Sequence, residues 1–285
     1  MFAITGVTGN VGGEMARQLL AAKKPVRAVV RDARKGAEWA GYGCEVAVAD
    51  IEDEAALTAA FRGAEGVFAM IPPRFDPLPG FVEAHKTAAT LQAALEAARP
   101  GRVVYLSTVG AQAVEENLLS QHTIIEQALR EVTAPTTFLR PGWFMENAQW
   151  DIAPAREKGV IGSVLQPLDR EVAMVSVLDI GRVAAELIQE TWSGHRVVEL
   201  EGPQRVSPNE VARVLGRLLG REVRVEVVPR EGWEELFRAQ GMKNPGPRLR
   251  MLDGFNEGWI DFENRDSVLK GTVGIEAVLK ALVDR

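Results

Sequence analysis

The segment Thr5–Gly13 reads TGVTGNVGG and follows directly on the apolar run MFAI. Its glycines Gly6, Gly9 and Gly12 stand three residues apart, where a first strand ends and an amphipathic helix begins. A chain leaving a parallel strand must reverse within a few residues. Gly6 permits that tight turn, Gly9 leaves the backbone open to a pyrophosphate, and Gly12 lets the helix lie close to the sheet. The amides of Thr8, Gly9, Asn10, Val11 and Gly12 are then the candidate phosphate ligands, because the first amides of a helix have no partner within it. Glycines also serve strand–helix junctions that bind nothing, so the spacing alone decides little. Its position at the first turn of a βαβ unit favours a dinucleotide.

The rest of the amino-terminal half has the matching rhythm. Apolar runs at 2–5, 26–30, 45–49, 66–71, 102–107 and 136–140 alternate with helical patterns such as EAALTAAF and HKTAATLQAALEAA. Val11, Met15 and Leu19 share one helical face. Strands apolar on both faces and separated by helices imply a parallel sheet covered on both sides. The expected fold is α/β: a Rossmann, doubly wound parallel sheet with helices on both faces, plus a smaller α/β carboxy-terminal lobe. Residues 1–142 are expected to form the NAD(P)-binding domain, with 176–201 returning to it, and 143–285 the lobe that meets substrate or partner. In that lobe SPNEVARVLGRLLG opens with Ser207 as cap, Pro208 in the first turn and Glu210 completing a capping box. RVVELEG and EVRVEVV read as strands, and the remainder of the chain as mostly helical.

Charge and composition remove several classes of function. The net charge is −6 with both signs interspersed, so the basic footprint that phosphate-backbone binding needs is missing and direct nucleic-acid contact is not expected. The single cysteine, Cys44, opens a strand and reads as a small buried hydrophobe in a chain suited to a reducing, cytoplasmic setting. No stretch approaches the roughly 20 apolar residues of a membrane span. His85, His122 and His195 show no ligand spacing, so no metal site is expected.

Which dinucleotide is decided about 20 residues beyond the glycines, where an acid binds a ribose 2′-hydroxyl and a base a 2′-phosphate. That place holds Arg31, in VVRDARK, with Arg34 and Lys35 beyond it and Asp32 alongside. The guanidinium favours NADP(H), with NAD(H) as the weaker alternative. Asp50 and Ile51 close strand three on the adenine side. Ser107 and Thr108, leaving strand five, place hydroxyls near ribose or nicotinamide, and the proline-rich loop Met70–Gly80 after strand four is placed to cover the cofactor.

TGVTGNVGG, Arg31, ADIED, YLSTVGAQ and FLRPGWFMEN, taken in order, resemble the NmrA-like branch of the atypical short-chain dehydrogenases, and within it the NADPH-dependent quinone oxidoreductases. The resemblance runs essentially end to end, through VLDIGRVAAELI and the last helical stretch. It implies NADP(H) in a cleft against the smaller lobe, with Met70, Ile71 and Gly142 among the residues that hold it. It also implies that Trp143, Phe144 and Asn147 lie beside the nicotinamide as a floor for substrate. Some members of the family are reductases; others sense the cofactor and act through a regulatory protein partner.

Ordinary short-chain dehydrogenases donate a proton from the tyrosine of Tyr-x-x-x-Lys. Here Val46 stands four residues after Tyr42 and Val109 four after Tyr105, and no lysine occurs between Lys86 and Lys158. The corresponding helix carries QHTIIEQAL, with His122 and Glu126 one turn apart. His122 is therefore the one candidate proton donor, oriented by Glu126; the plainer alternative is a helix-face hydrogen bond that positions the strand-five loop. A quinone tolerates the missing acid, because its ring accepts hydride unprotonated and water completes the hydroquinone.

If Arg31 holds a 2′-phosphate, Arg31→Ala should weaken NADPH by about 2–3 kcal/mol more than NADH in paired titrations. An equal loss for both nucleotides would refute that role.

Overall fold

The computed structural model describes all 285 residues. In the amino-terminal half β1 (Phe2–Ile4), β2 (Val26–Val30), β3 (Glu45–Val48), β4 (Gly66–Ala69), β5 (Val103–Leu106) and β6 (Thr136–Pro141) alternate with α1 (Asn10–Ala21), α2 (Ala33–Gly41), α3 (Glu54–Phe61), α4 (Val82–Ala98) and α5 (Ser120–Leu129). Beyond them come β7 (Trp143–Phe144), α6 (Gln149–Lys158), β8 (Val160–Ser163), β9 (Met174–Val175), α7 (Val177–Leu187), β10 (His195–Glu201), α8 (Pro208–Leu219), β11 (Arg224–Val227), α9 (Trp233–Ala239), α10 (Gly246–Glu257), β12 (Leu269–Lys270) and α11 (Ile275–Val283).

Eight strands make one sheet in the order β12-β10-β6-β5-β4-β1-β2-β3, every neighbouring pair parallel. The order reverses between β1 and β4, which opens a crevice at their carboxyl ends, the place where doubly wound sheets bind ligands. Alternation along each strand divides the apolar side chains between two faces. Phe2, Ile4, Phe68, Val104 and Leu106 pack under α1 and α7 with Met15, Leu19 and Ile180. Ala3, Val67, Val103 and Tyr105 meet α3, α4 and α5 through Phe61, Leu91 and Ile125. A third core, centred on Trp233, Leu215, Leu252 and Leu279, belongs to the carboxy-terminal elements. Two small sheets accompany it, β8 with β11 and β7 with β9, both parallel.

Two local expectations need correction. Leu269–Lys270, in a stretch expected to be mostly helical, instead extends the main sheet beside β10. Side chains and backbone hold it there: Gly271 donates to the carbonyl of Glu201 at 2.7 Å, Lys270 pairs with the Glu201 carboxylate, and buried Asp179 of α7 accepts from the amides of Thr272 and Val273, both at 2.8 Å. At α8 only half of the capping box forms. Ser207 accepts from the Glu210 amide at 3.2 Å, while the Glu210 carboxylate turns outward to Arg213 at 2.9 Å. Cys44 is buried, 7% exposed, and burial pushes its thiol up. No helix is long and apolar enough to cross a membrane.

Asp179 also binds Arg182 at 3.0 Å, so one buried carboxylate joins α7 to the β12 segment through several donors. Asp179→Ala should cost about 2–4 kcal/mol in denaturant unfolding and speed amide exchange at 269–273. Unchanged exchange there would contradict this anchoring.

Candidate functional site

The crevice begins at the glycine turn. Thr5 ties β1 to β4 by accepting from the Met70 amide through its hydroxyl at 3.0 Å. Gly6 has φ of 64°, in the left-handed region, and a Cβ there would meet Met70 Sδ at 2.4 Å. A Cβ on Gly12 would strike the Gly6 carbonyl oxygen at 2.5 Å, so α1 rests on the turn itself. Gly9 differs: the one neighbour of a Cβ built on it would be the Gly6 oxygen at 3.3 Å, and its outer side is open. Gly9 is also the cap of α1, contributes no side-chain hydrogen bond, and is followed by no acid in the first turn. Val11 is buried in the core and Gly12 has no side chain, so this turn presents backbone to the crevice. Uncapped amides at a helix start attract an anion.

A cleft of about 220 Å³ continues from Thr8 and Gly9 across Val29, Val30, Ala49, Ile51, Leu57 and Met70 to Arg31. Arg31 makes no hydrogen bond or ion pair within the chain, whereas its neighbour Asp32 is fully engaged. Asp32 caps α2 by accepting from the Arg34 amide at 2.9 Å and pairs with the Arg34 guanidinium at 2.8 Å, which holds its carboxyl below the ordinary range. The acid that obscured the sequence reading is neutralised locally, and Arg31 is the cation left facing the cleft. Two expected contributors lie elsewhere. Asp50 turns its carboxylate to the Glu52 amide at 2.9 Å and does not line the cleft, although Ile51 does. Ile71 packs toward the core beneath the sheet, and Pro72 and Pro73 take its place at the rim. The loop carrying them is pinned to the carboxy-terminal half: Asp76 accepts from the amides of Lys243 and Asn244 at 2.9 and 2.7 Å.

At the ends of β5 and β6 the expected histidine–glutamate pair does not form. Buried Glu126 accepts from Ser107 at 2.6 Å and takes a bidentate pair from Arg140 at 2.9 and 2.7 Å. Burial alone would pull the Arg140 guanidinium down, but Glu126 and Glu263 outweigh it and hold it above its ordinary value. His122 instead shares a 2.9 Å hydrogen bond with the Tyr105 hydroxyl through Nδ1, and burial pushes its imidazole down to about 4. A neutral ring tied to β5 fits the plainer reading, a hydrogen bond that positions the loop. The Ser107 proton is likewise committed to Glu126, while the half-buried Thr108 hydroxyl has no partner. Gly142 has a packing reason of its own: a Cβ there would meet the Ala173 oxygen at 2.4 Å, where β7 leaves the sheet against β9.

Trp143, Phe144 and Asn147 come together on the wall of a second, mostly apolar cavity of about 160 Å³ between α6, β8, α8 and α11. Trp143 is held edge-on to Phe255 with ring centres 5.2 Å apart. Phe144 and Asn147 also line a neighbouring cleft that reaches Asn10 at the start of α1, so these residues stand between the glycine turn and the cavity. One lining residue escaped the sequence reading: Asp151, which has no partner and whose carboxyl burial pushes up to about 6.

The profile of the NmrA-like family matches residues 1–248. The chain belongs to that family. This NmrA-like protein is similar to the NAD(P)H azoreductase of Xenophilus azovorans, 29% identical over 264 residues that span 90% of this chain and 85% of that protein. It is similar also to Quinone oxidoreductase 2 of Escherichia coli, 28% identical over 248 residues spanning 85% of this chain and 82% of the relative. The solved structure of the NADPH-dependent quinone oxidoreductase of Escherichia coli, in complex with NADPH, shares the fold with a TM-score of 0.83 at 24% identity over 99% of both chains.

The geometry assigns different work to two glycines. Gly12→Ala should destabilise the NmrA-like fold by about 1–3 kcal/mol, since the new methyl meets backbone. Gly9→Ala should change stability by no more than about 1 kcal/mol and weaken nucleotide binding instead. Unfolding curves and titrations of the two variants separate these roles; equal stability losses would contradict the assignment.

Proposed function

We propose that this NmrA-like protein is an NADP(H)-dependent reductase that passes hydride to a quinone or a similar electron-poor acceptor. The observation that carries the reading is the unpaired Arg31 at the far end of a cleft that starts on uncapped helix amides, with the competing Asp32 paired off. A diphosphate and a 2′-phosphate are the two anionic groups such a cleft seats together. The names of the sequence relatives, an azoreductase and a quinone oxidoreductase, support the same chemistry.

In this reading the amides of Thr8, Asn10, Val11 and Gly12 hold the diphosphate, the Gly9 amide being spent on the Gly6 carbonyl at 2.9 Å, with Arg31 on the 2′-phosphate and Val29, Val30, Ile51 and Met70 on the adenine face. The Thr108 hydroxyl is free to orient ribose or nicotinamide. The nicotinamide cofactor supplies two electrons and a proton as hydride, and a second proton from water completes the hydroquinone. No side chain has to donate that proton, which agrees with His122 being neutral and tied to Tyr105 and with Glu126 being consumed by Arg140. Trp143, Phe144 and Asn147 then serve to orient the acceptor, and orientation supplies most of the rate. Residues 1–142 with 176–201 carry the cofactor, and 143–285 shape the acceptor side.

Purified protein should bind NADPH and oxidise it faster when 1,4-benzoquinone or a naphthoquinone is added. Tight NADPH binding without stimulation across a quinone panel would overturn the reductase reading and leave a sensor of the NADP+/NADPH ratio that acts through a protein partner.

A further inference from the structure

The cavity beside Trp143 holds an anomaly. Fifteen residues line it, and Asp151 is the single ionisable one among them. Ten of the fifteen are hydrophobic, including Trp143, Met145, Ile161, Leu165 and Val211, so the carboxylate stands against apolar walls. Asp151 is half-buried, makes no hydrogen bond or ion pair within the chain, and burial is the sole cause shifting its carboxyl. Ser163, another polar wall residue, is occupied with Leu165 of its own loop through bonds of 2.8 and 3.1 Å. Asn147 lies one turn before Asp151 at the exposed edge of the same wall, and its side-chain amide makes no hydrogen bond within the chain. An acid in the first turn of α6 gains from the helix dipole, but that benefit is available on the solvent face as well and does not require an apolar pocket.

We propose that this cavity is the head-group end of the acceptor site and that Asp151, with Asn147 beside it, selects ligands carrying a protonated alkylamine on a short chain from a single aromatic ring. The apolar walls take the ring, and the unpaired carboxylate gains an ammonium as its missing partner. The role as acceptor site rests on the reductase reading above; the amine selectivity of the pocket does not.

Calorimetric titration of the full chain at pH 8 with phenethylammonium, neutral 2-phenylethanol and anionic phenylacetate tests this. Phenethylammonium should bind at least about tenfold more tightly than 2-phenylethanol, and phenylacetate more weakly than either. Asp151→Asn should abolish that preference while keeping the affinity for 2-phenylethanol. The variant is expected to fold, because a carboxyl raised to about 6 opposes folding once ionised, so removing its charge relieves the native state above that pH. Lowering the pH from 8 to 5 protonates Asp151, the only titratable wall residue, and should erase the preference in the wild type but not change the variant. Val211→Trp, which fills the cavity, should remove binding of all three probes. Equal affinities, or a preference that survives in Asp151→Asn, would overturn the pocket's selectivity whether or not NADPH is oxidised. Competition between phenethylammonium and benzoquinone during turnover supports the acceptor role; selective binding with no effect on turnover would overturn that role alone.

Discussion

The contact between the Gly12 Cα and the carbonyl oxygens of Thr5 and Gly6 governs much of this molecule. A methyl at position 12 would come within 2.5 Å of one oxygen and 2.9 Å of the other, so α1 starts directly on top of the strand that precedes it. That proximity sets the start of α1 at the mouth of the crevice between β1 and β4, which Thr8 and Gly9 line. It also fixes the level of Met70, whose amide is bound to Thr5 and whose sulfur lies over Gly6. A side chain capping the helix would quench the first amides of α1, and Gly9 supplies none. Fold and anion affinity thus depend on one steric arrangement.

A second arrangement holds the ends of β5 and β6. The space beneath the β5 and β6 loops is filled by Glu126 and Arg140, 4% and 3% exposed at their side chains, with Ser107 and Glu263 completing the network. Buried pairs of this kind add little net stability, but removing one partner leaves an uncompensated charge, so the loops are fixed in one geometry. The network holds the end of β5 in place and commits the groups that would otherwise transfer protons. A reaction whose acceptor is already electron-poor suits such a site.

The parallel sheet was legible in the sequence because its strands are buried on both faces and its helices keep one apolar stripe. β2 spans the same five residues as the apolar run VRAVV. β7 and β12 escaped because two-residue strands carry no period and exist through their partners. Side-chain roles were harder to read wherever a distant element competes. Helical spacing put Glu126 beside His122, but Arg140 arrives from β6 with a stronger claim. Spacing from the glycines found Arg31 and left Asp32 ambiguous; the answer lay two residues on, in the bond to Arg34. At the end of β3 the sequence offered Asp50 and Ile51 together, yet the Asp50 carboxylate closes a local turn and the apolar Ile51 alone meets the cleft. Asp151 gave no signal, since an acid opening a helix is ordinary until β8, α8 and α11 close apolar walls around it.

The central claim is that backbone amides and Arg31 together recognise two phosphates at fixed separation. Calorimetric comparison of adenosine 2′,5′-bisphosphate with adenosine 5′-monophosphate tests it without any turnover. The account predicts that the bisphosphate binds at least about tenfold more tightly, with the advantage shrinking as salt rises. Equal affinity for the two nucleotides, or no binding of either, would contradict it.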